Sequence, residues 1–154
     1  MYSLLLFLHS GLRWIVLLTG LFALVRAIAG ARGRRPWTPS DATPGLLFII
    51  SCDLQFLIGL ALYLVFSPTV QAAFVNIGAA MRAPETRFFV ADHAAGMIVA
   101  IALAHVGRVR SKKARTDEAR FKGAAIFYAL ALIVMLGVIP WPGMPAGRPL
   151  FPKW

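Results

Sequence analysis

The chain has 154 residues, of which 59% are hydrophobic and only 14% are charged, and its mean hydropathy is +0.73. An average soluble domain has roughly 25% charged residues, so this composition excludes an ordinary soluble domain and indicates an integral membrane protein. The net charge of +10 would suggest a nucleic-acid partner in a soluble protein, but in a membrane protein its position along the chain decides its meaning.

Four apolar runs are each long enough, or nearly so, for the ~20 helical residues that cross a hydrocarbon core. They cover residues 4–25, 45–66, 88–107 and 123–139. The sequence therefore predicts an all-α fold, a single membrane domain (1–154) built as a four-helix bundle. We expect a multi-pass protein of the bacterial inner membrane, in contact with the lipid bilayer.

Most of the positive charge lies in two loops, AGARGRRPWTPSDATPG after the first span and GRVRSKKARTDEARFKG after the third. The opposite ends of the spans carry only Arg82, Arg87, Arg148 and Lys153. Because Lys and Arg concentrate in cytoplasmic loops, both basic loops are predicted inside and both termini outside. The basic charge thus reports topology, and no nucleic acid is expected as a partner.

The first span contains two ionisable residues, and His9, Arg13, Val16 and Gly20 form one helical stripe. Arg13 lies roughly 13 Å along the helix, close to the bilayer midplane. Charged residues within a span face protein or cofactor. One interpretation is a buried ion pair between Arg13 and Asp53, which has a similar depth on the second span. The alternative is that Arg13 faces a cofactor.

Two segments outside the spans have recognisable patterns. Thr43 and Pro44 are predicted to begin the second span as its N-cap and first helical residue. Between spans two and three, Val70, Phe74, Ile77 and Met81 recur at helical spacing, which predicts a short amphipathic helix on the outer interface. The tail, residues 140–154, contains five prolines and is predicted to be an extended outer segment that docks on a partner subunit or lies on the membrane.

His93 opens the third span in the string RFFVADH, and Gly96, Met97, Ala100 and Ala104 continue its helical face. Spans one and three run in the same direction, and each histidine lies about six residues into its span. The two imidazoles are therefore predicted at one depth, on the outer side.

Haem iron takes two axial ligands, and cofactor sites in helix bundles use side chains of facing helices. We therefore predict a single haem b held by His9 and His93, with Arg13, or else Arg82 and Arg87 at the mouth, at a propionate. Ser10 and Asp92 are candidates for orienting the rings. His105 is turned by about 120° from His93 and is expected to hydrogen-bond at the inner interface.

Other uses of the two histidines stay open. The same geometry suits the magnesium of a chlorophyll-type pigment, or a hydrogen bond across helices without any cofactor. A non-haem metal is disfavoured because no carboxylate pair accompanies the imidazoles. Met97 is an alternative ligand, although methionine in an apolar helix usually fills space. Cys52 is alone in its span and is interpreted as a small core residue.

The strings LHSGLRW, LQFLIGLALY, RFFVADH, GRVRSKKARTDEAR and IPWPGMPAGRPLF together resemble a small bacterial family of four-helix membrane proteins often labelled cytochrome b. The resemblance covers nearly the whole chain and implies His9 and His93 as the haem ligands. With three histidines, the chain cannot supply the four axial ligands of a two-haem cytochrome b, so a complete quinol-oxidising core is excluded.

The expected function is a haem-bearing subunit that passes electrons between a quinone, or an outer donor, and other subunits of a respiratory or photosynthetic complex. The alternative is a cofactor-free accessory subunit of a larger membrane complex. The sequence contains no Ser/His/Asp arrangement, phosphate-binding loop or zinc motif. Independent catalysis is therefore not expected.

Overall fold

The structure, a computed structural model, describes residues 1–151. The chain is 83% helical, and no β-strand occurs in the described part. Four helical stretches are long and apolar enough to cross a membrane: Tyr2–Gly33, Pro39–Phe66, Pro84–Lys113 and Asp117–Val138. The predicted all-α architecture with four spans is confirmed.

The helices follow one another in the order α1 (Tyr2–Gly33), α2 (Pro39–Ala61), α3 (Pro68–Val75), α4 (Ile77–Arg82), α5 (Pro84–Arg87), α6 (His93–Lys113) and α7 (Asp117–Val138). Two π-helical turns interrupt the spans, Leu62–Phe66 at the end of α2 and Phe88–Asp92 just before α6. Such turns are rare and frequently occur at functional sites. Both of them contribute residues to the cavity described below.

The first basic loop is shorter than the sequence predicts, because α1 extends to Gly33 and α2 begins at Pro39. The N-cap is Thr38, so the predicted cap at Thr43 is wrong. Thr38 and Asp41 form a capping box, in which each side chain accepts from the other residue's backbone N–H. This arrangement satisfies two N–H groups at once, whereas Pro44 lies inside the helix.

Asp41 also joins the C-terminal end of α1 to the N-terminal end of α2. Its carboxylate accepts hydrogen bonds from Arg26 at 2.8 Å and from Arg35 at 2.7 Å, although the Asp41 side chain is almost completely buried. Two cations and two cap donors therefore converge on one carboxylate, which compensates the cost of burying it.

The four spans form a ring in which α1 packs against α2 and α7, and α6 packs against the same two helices. Spans one and three are therefore diagonal in the bundle. The half of the bundle nearest the two basic loops is filled by Phe48 and Tyr128, whose rings meet edge to face at 5.5 Å. Val16 and Gly20 of the predicted stripe are buried, which confirms that this face of α1 points inward.

The segment between spans two and three is helical, but it forms separate short helices. The side chain of Asn76 caps α4 by accepting from the backbone N–H of Ala79, and this residue separates α3 from α4. Within α3, Val70 is buried and Phe74 is exposed, and Ile77 at the start of α4 is exposed as well. The predicted single amphipathic helix is therefore divided in two.

The described part of the tail, residues 140–151, contains no helix and folds back on its own bundle. The N–H of Arg148 donates to the carbonyl of Pro140 at 3.0 Å, which closes a loop. The Phe151 ring stacks on Trp14 of α1, with centroids 5.7 Å apart. The tail thus turns instead of running extended as predicted, and residues 152–154 lie outside the described part.

We expect Gly30→Ala to lower the free energy of unfolding by about 1–3 kcal/mol, the usual effect of overpacking. A Cβ at position 30 would overlap the ring of Phe121, whereas a Cβ at Gly11 meets nothing within 4 Å. Denaturation in detergent, followed by circular dichroism, measures the difference. Gly11→Ala is the control, and an equal loss in both variants would show that close packing at Gly30 is not what matters.

Candidate functional site: the histidine cavity

His9 and His93 face each other from the two diagonal spans. Their ring centroids are 6.3 Å apart, and their planes are inclined by 73°. His9 lies in the second turn of α1, and His93 is the first residue of α6, immediately after a π-helical turn. The structure therefore brings together the two residues that the equal-depth prediction paired.

A cavity of about 550 Å³ lies around the two imidazoles. This volume is within the range of about 300–1,000 Å³ typical of small-molecule and cofactor sites. Its walls are mostly apolar and include Leu6, Phe56, Met97, Ile101 and Met135, with a few polar side chains among them. Because α1 and α6 are diagonal, the space between them is not filled by direct helix packing.

The His93 ring is oriented by a backbone carbonyl. Its Nδ1 lies 2.7 Å from the carbonyl oxygen of Val138, at the end of α7. A carbonyl only accepts, so Nδ1 carries the proton and Nε2 keeps the lone pair that a metal needs. Val138 can come this close because Gly96 has no side chain: a Cβ there would lie 2.6 Å from a methyl carbon of Val138.

The His9 ring packs against Gly59 of α2. A Cβ at position 59 would lie 2.9 Å from Cε1 of His9, so this position leaves room for the imidazole only as glycine. The buried Nδ1 of His9 has no hydrogen-bond partner among residues 1–151. Buried polar atoms are normally satisfied, so a ring with an unpaired nitrogen beside a cavity indicates a ligand site.

Arg13 is buried one turn below His9, with 8% of its surface exposed. One terminal nitrogen donates to the carbonyl of Leu150 in the tail at 2.6 Å, and the guanidinium lies 5.3 Å from the Trp14 ring centre. Its Nε has no partner in the described part of the chain. A buried cation that lines a cavity and has no carboxylate partner among residues 1–151 suits a ligand with negative charge.

The interpretation of Arg13 and Asp53 as an ion pair is wrong. Asp53 Oδ1 instead lies 2.9 Å from Nε2 of His105 on α6. The reason is helix rotation: Ser51 faces α1, where it hydrogen-bonds Thr19 at 2.9 Å, and Asp53, two residues further, is turned about 200° from it. His105, expected at the inner interface, is thus the partner of Asp53.

Of the two residues predicted to orient the imidazole rings, Ser10 lies at the cavity and Asp92 does not. Ser10 lines the cavity, but Asp92 pairs with Arg87 at 3.3 Å and both of these side chains are about half exposed. The orienting role at His93 belongs to the Val138 carbonyl. The sequence could not indicate this group, because every residue has a backbone carbonyl. It also did not indicate Arg148, which reaches the cavity only because the tail folds back.

Two imidazoles line the cavity, together with the sulfur-bearing side chains of Cys52, Met97 and Met135. Within residues 1–151 no group of three or more His, Cys, Asp or Glu side chains is placed to hold a metal ion. A pair of imidazoles matches the small number of protein ligands that haem iron needs, since the macrocycle supplies the others. No protein-family model, curated protein or solved structure matches the chain.

We expect Gly96→Ala to weaken the hydrogen bond of His93, because the new methyl group would push Val138 away. Nitrogen NMR of the histidine-labelled protein should give the Nδ1-protonated tautomer for His93 in the wild type and a tautomer mixture in the variant. Gly137→Ala is the matched control, since a Cβ there meets nothing within 4 Å. A His93 signal identical in all three proteins would contradict the assignment.

Proposed function

We propose that this protein is a haem b-binding membrane subunit, as the resemblance to cytochrome b-like proteins implies, and that it transfers electrons within a respiratory or photosynthetic complex of the bacterial inner membrane. The single observation that carries the proposal is the pair of imidazoles at a cavity of cofactor size. When bound, haem supplies one-electron transfer at its iron. The chain's own residues would hold the haem, cover it from water and neutralise its carboxylates.

The spacing of the histidines supports a shared metal. His9 and His93 both line the cavity, and their ring centroids are 6.3 Å apart, so one ligand in the cavity would contact both rings. Nε2 of His93 would be the nitrogen that holds the metal, because Nδ1 is held by the Val138 carbonyl. Gly59 leaves room for the imidazole of His9 against α2.

The remaining lining residues suit the two faces of a porphyrin. Apolar side chains such as Met97, Ile101 and Met135 would cover the macrocycle and exclude water, which keeps both imidazoles neutral and able to bind. Arg13 and Arg148 both reach the cavity and would neutralise the propionates. The chain thus provides a cationic end and an apolar body in one site.

The proposed topology has both termini outside. The inner ends of the spans carry the basic loops, and this distribution supports cytoplasmic loops by the positive-inside rule. Exposed Phe74, Ile77 and Met81 on α3 and α4 suit a segment lying on the outer interface. The histidine cavity would then be near the outer surface, within reach of a quinone or an outer electron donor.

We expect the purified protein, expressed with ample haem, to show a haem b band in its reduced-minus-oxidised absorption spectrum. His9→Ala and His93→Ala should each abolish or convert the spectrum, because each removes an imidazole that would hold the iron. His105→Ala is the control, since His105 bonds Asp53 and does not line the cavity. Dependence on His105 alone would place the site elsewhere.

The same spectrum separates the alternatives. A chlorophyll-type pigment would give the bands of a magnesium macrocycle in the extracted pigment. A protein without any pigment, after expression with ample haem, would favour the cofactor-free accessory subunit and would remove the present proposal.

The role of Arg13 is tested with haem and its dimethyl ester, which lacks the two carboxylates. We expect the protein to bind haem about tenfold more tightly than the ester, since a charge-assisted contact contributes about 1.5–3 kcal/mol. Arg13→Gln should reduce this preference, with the remainder due to Arg148, and should leave binding of the ester in place. Equal affinities in the wild type would show that Arg13 has another partner.

A further inference from the structure

The histidine cavity is open on one side, at the seam between the second and third spans. Phe56, Leu60 and Leu64 on the second span and Ala95 and Ile98 on the third line the cavity and are also exposed at the surface. The side chains of α1 and α7 that line the cavity are all buried or half-buried. Because a side chain that touches both the cavity and the outside marks an opening, the cavity opens between α2 and α6.

Two polar contacts bound this opening. Asp53 and His105 bond at 2.9 Å at the end nearer the basic loops, and the Tyr63 hydroxyl donates to the carbonyl of Val90 at 2.8 Å at the other end. Between these contacts no hydrogen bond joins the second and third spans within residues 1–151. Tyr63 is ten residues beyond Asp53, or about 15 Å along the helix, so the opening is long enough for a small molecule.

Leu60 and Ile98 form the two sides of the opening. Leu60 lies seven residues beyond Asp53, and Ile98 lies seven residues before His105. Seven residues make about two helical turns, so both side chains face the seam like the bonded pair. They are nevertheless 37% and 56% exposed, and α2 and α6 are the least closely packed of the neighbouring spans. The two side chains therefore do not close the seam.

The rim of the opening is apolar and lies within the membrane-spanning stretches. The other exposed residue of the cavity wall is Arg148, whose guanidinium lies 4.9 Å from the ring centre of Phe89. Arg13 holds the tail beside it through the Leu150 carbonyl, so the tail covers that end of the cavity. Since lipid chains surround the spans, the α2–α6 opening favours molecules dissolved in the bilayer over molecules dissolved in water.

We propose that the cavity takes up its ligand from the bilayer through the α2–α6 opening, and that this ligand is a lipid-soluble amphiphile with an apolar body and an anionic group. The anionic group would reach Arg13, whose buried Nε has no partner in the described part of the chain. The apolar body would contact Met97 and Ile101. For haem as the amphiphile, the proposal rests on the function proposed above.

Photolabelling of the haem-free protein in phosphatidylcholine vesicles tests the entrance. The probe is a fatty acid with a diazirine in its chain, which combines an apolar body with a carboxylate. It should label Met135, which lines the cavity and is 2% exposed, as well as Leu130 on the outward face of the same helix. Leu60→Trp combined with Ile98→Trp should lower the labelling of Met135 at least about tenfold, which corresponds to about 1.4 kcal/mol, and should leave that of Leu130 unchanged.

Leu54→Trp combined with Val99→Trp is the matched control. Both side chains are exposed on the same two helices, and neither lines the cavity. Met135 should be labelled as in the wild type, with the helicity of all three proteins compared by circular dichroism. A wild type without label at Met135, or equal labelling of Met135 in the two double variants, would overturn the proposal.

Uptake of haem from preloaded vesicles applies the same variants to the proposed ligand. The variant with tryptophan at positions 60 and 98 should acquire its haem b band at least about tenfold more slowly than the control variant, and both should reach the same final spectrum. Equal rates would contradict uptake through the opening. A wild type that is labelled at Met135 but never shows a haem band would remove haem as the ligand and support the entrance.

Discussion

Inside a bilayer, a polar group must find its partner in the protein or in a ligand, because the lipid chains offer none. This constraint explains the longest-range contacts of the chain. His93 bonds the carbonyl at the end of α7, Gln55 bonds the carbonyl of His9, and Arg13 bonds a carbonyl of the tail. Each bond joins two different elements, so the polar side chains help to decide which helices and segments meet.

The two halves of the bundle differ in how completely side chains fill the space between the helices. In the half nearest the two basic loops, large rings fill the centre because glycines make room for them, as Gly20 does for Phe48 and Gly107 does for Tyr128. In the half nearest the chain termini, the diagonal spans present imidazoles and small side chains, and a cavity of about 550 Å³ results. The tightly packed half can hold the spans in place while the other half keeps space for a ligand.

Four buried side-chain atoms have no hydrogen-bond partner in the described part of the chain: Nδ1 of His9, Nε of Arg13, Nε1 of Trp14 and Oε1 of Gln55. His9, Arg13 and Gln55 line the cavity, where a cofactor with a metal and carboxylates would offer partners to the imidazole and the guanidinium. Trp14 packs against the tail, with its ring centroid 6.3 Å from that of Trp141. Because buried polar atoms are normally satisfied, the group of unsatisfied atoms at the cavity marks the part of the bundle that suits a ligand.

The sequence by itself determined the number of spans and the matched depth of His9 and His93, because bilayer thickness and helix rise are constant. It also indicated the inward face of α1, since that face follows from helical periodicity. The partner of Asp53 was decided only by the tertiary structure, because depth along a helix does not specify which neighbour a side chain faces. The Val138 carbonyl and the folded tail likewise depend on which segments pack together, and backbone groups have no signature in the sequence.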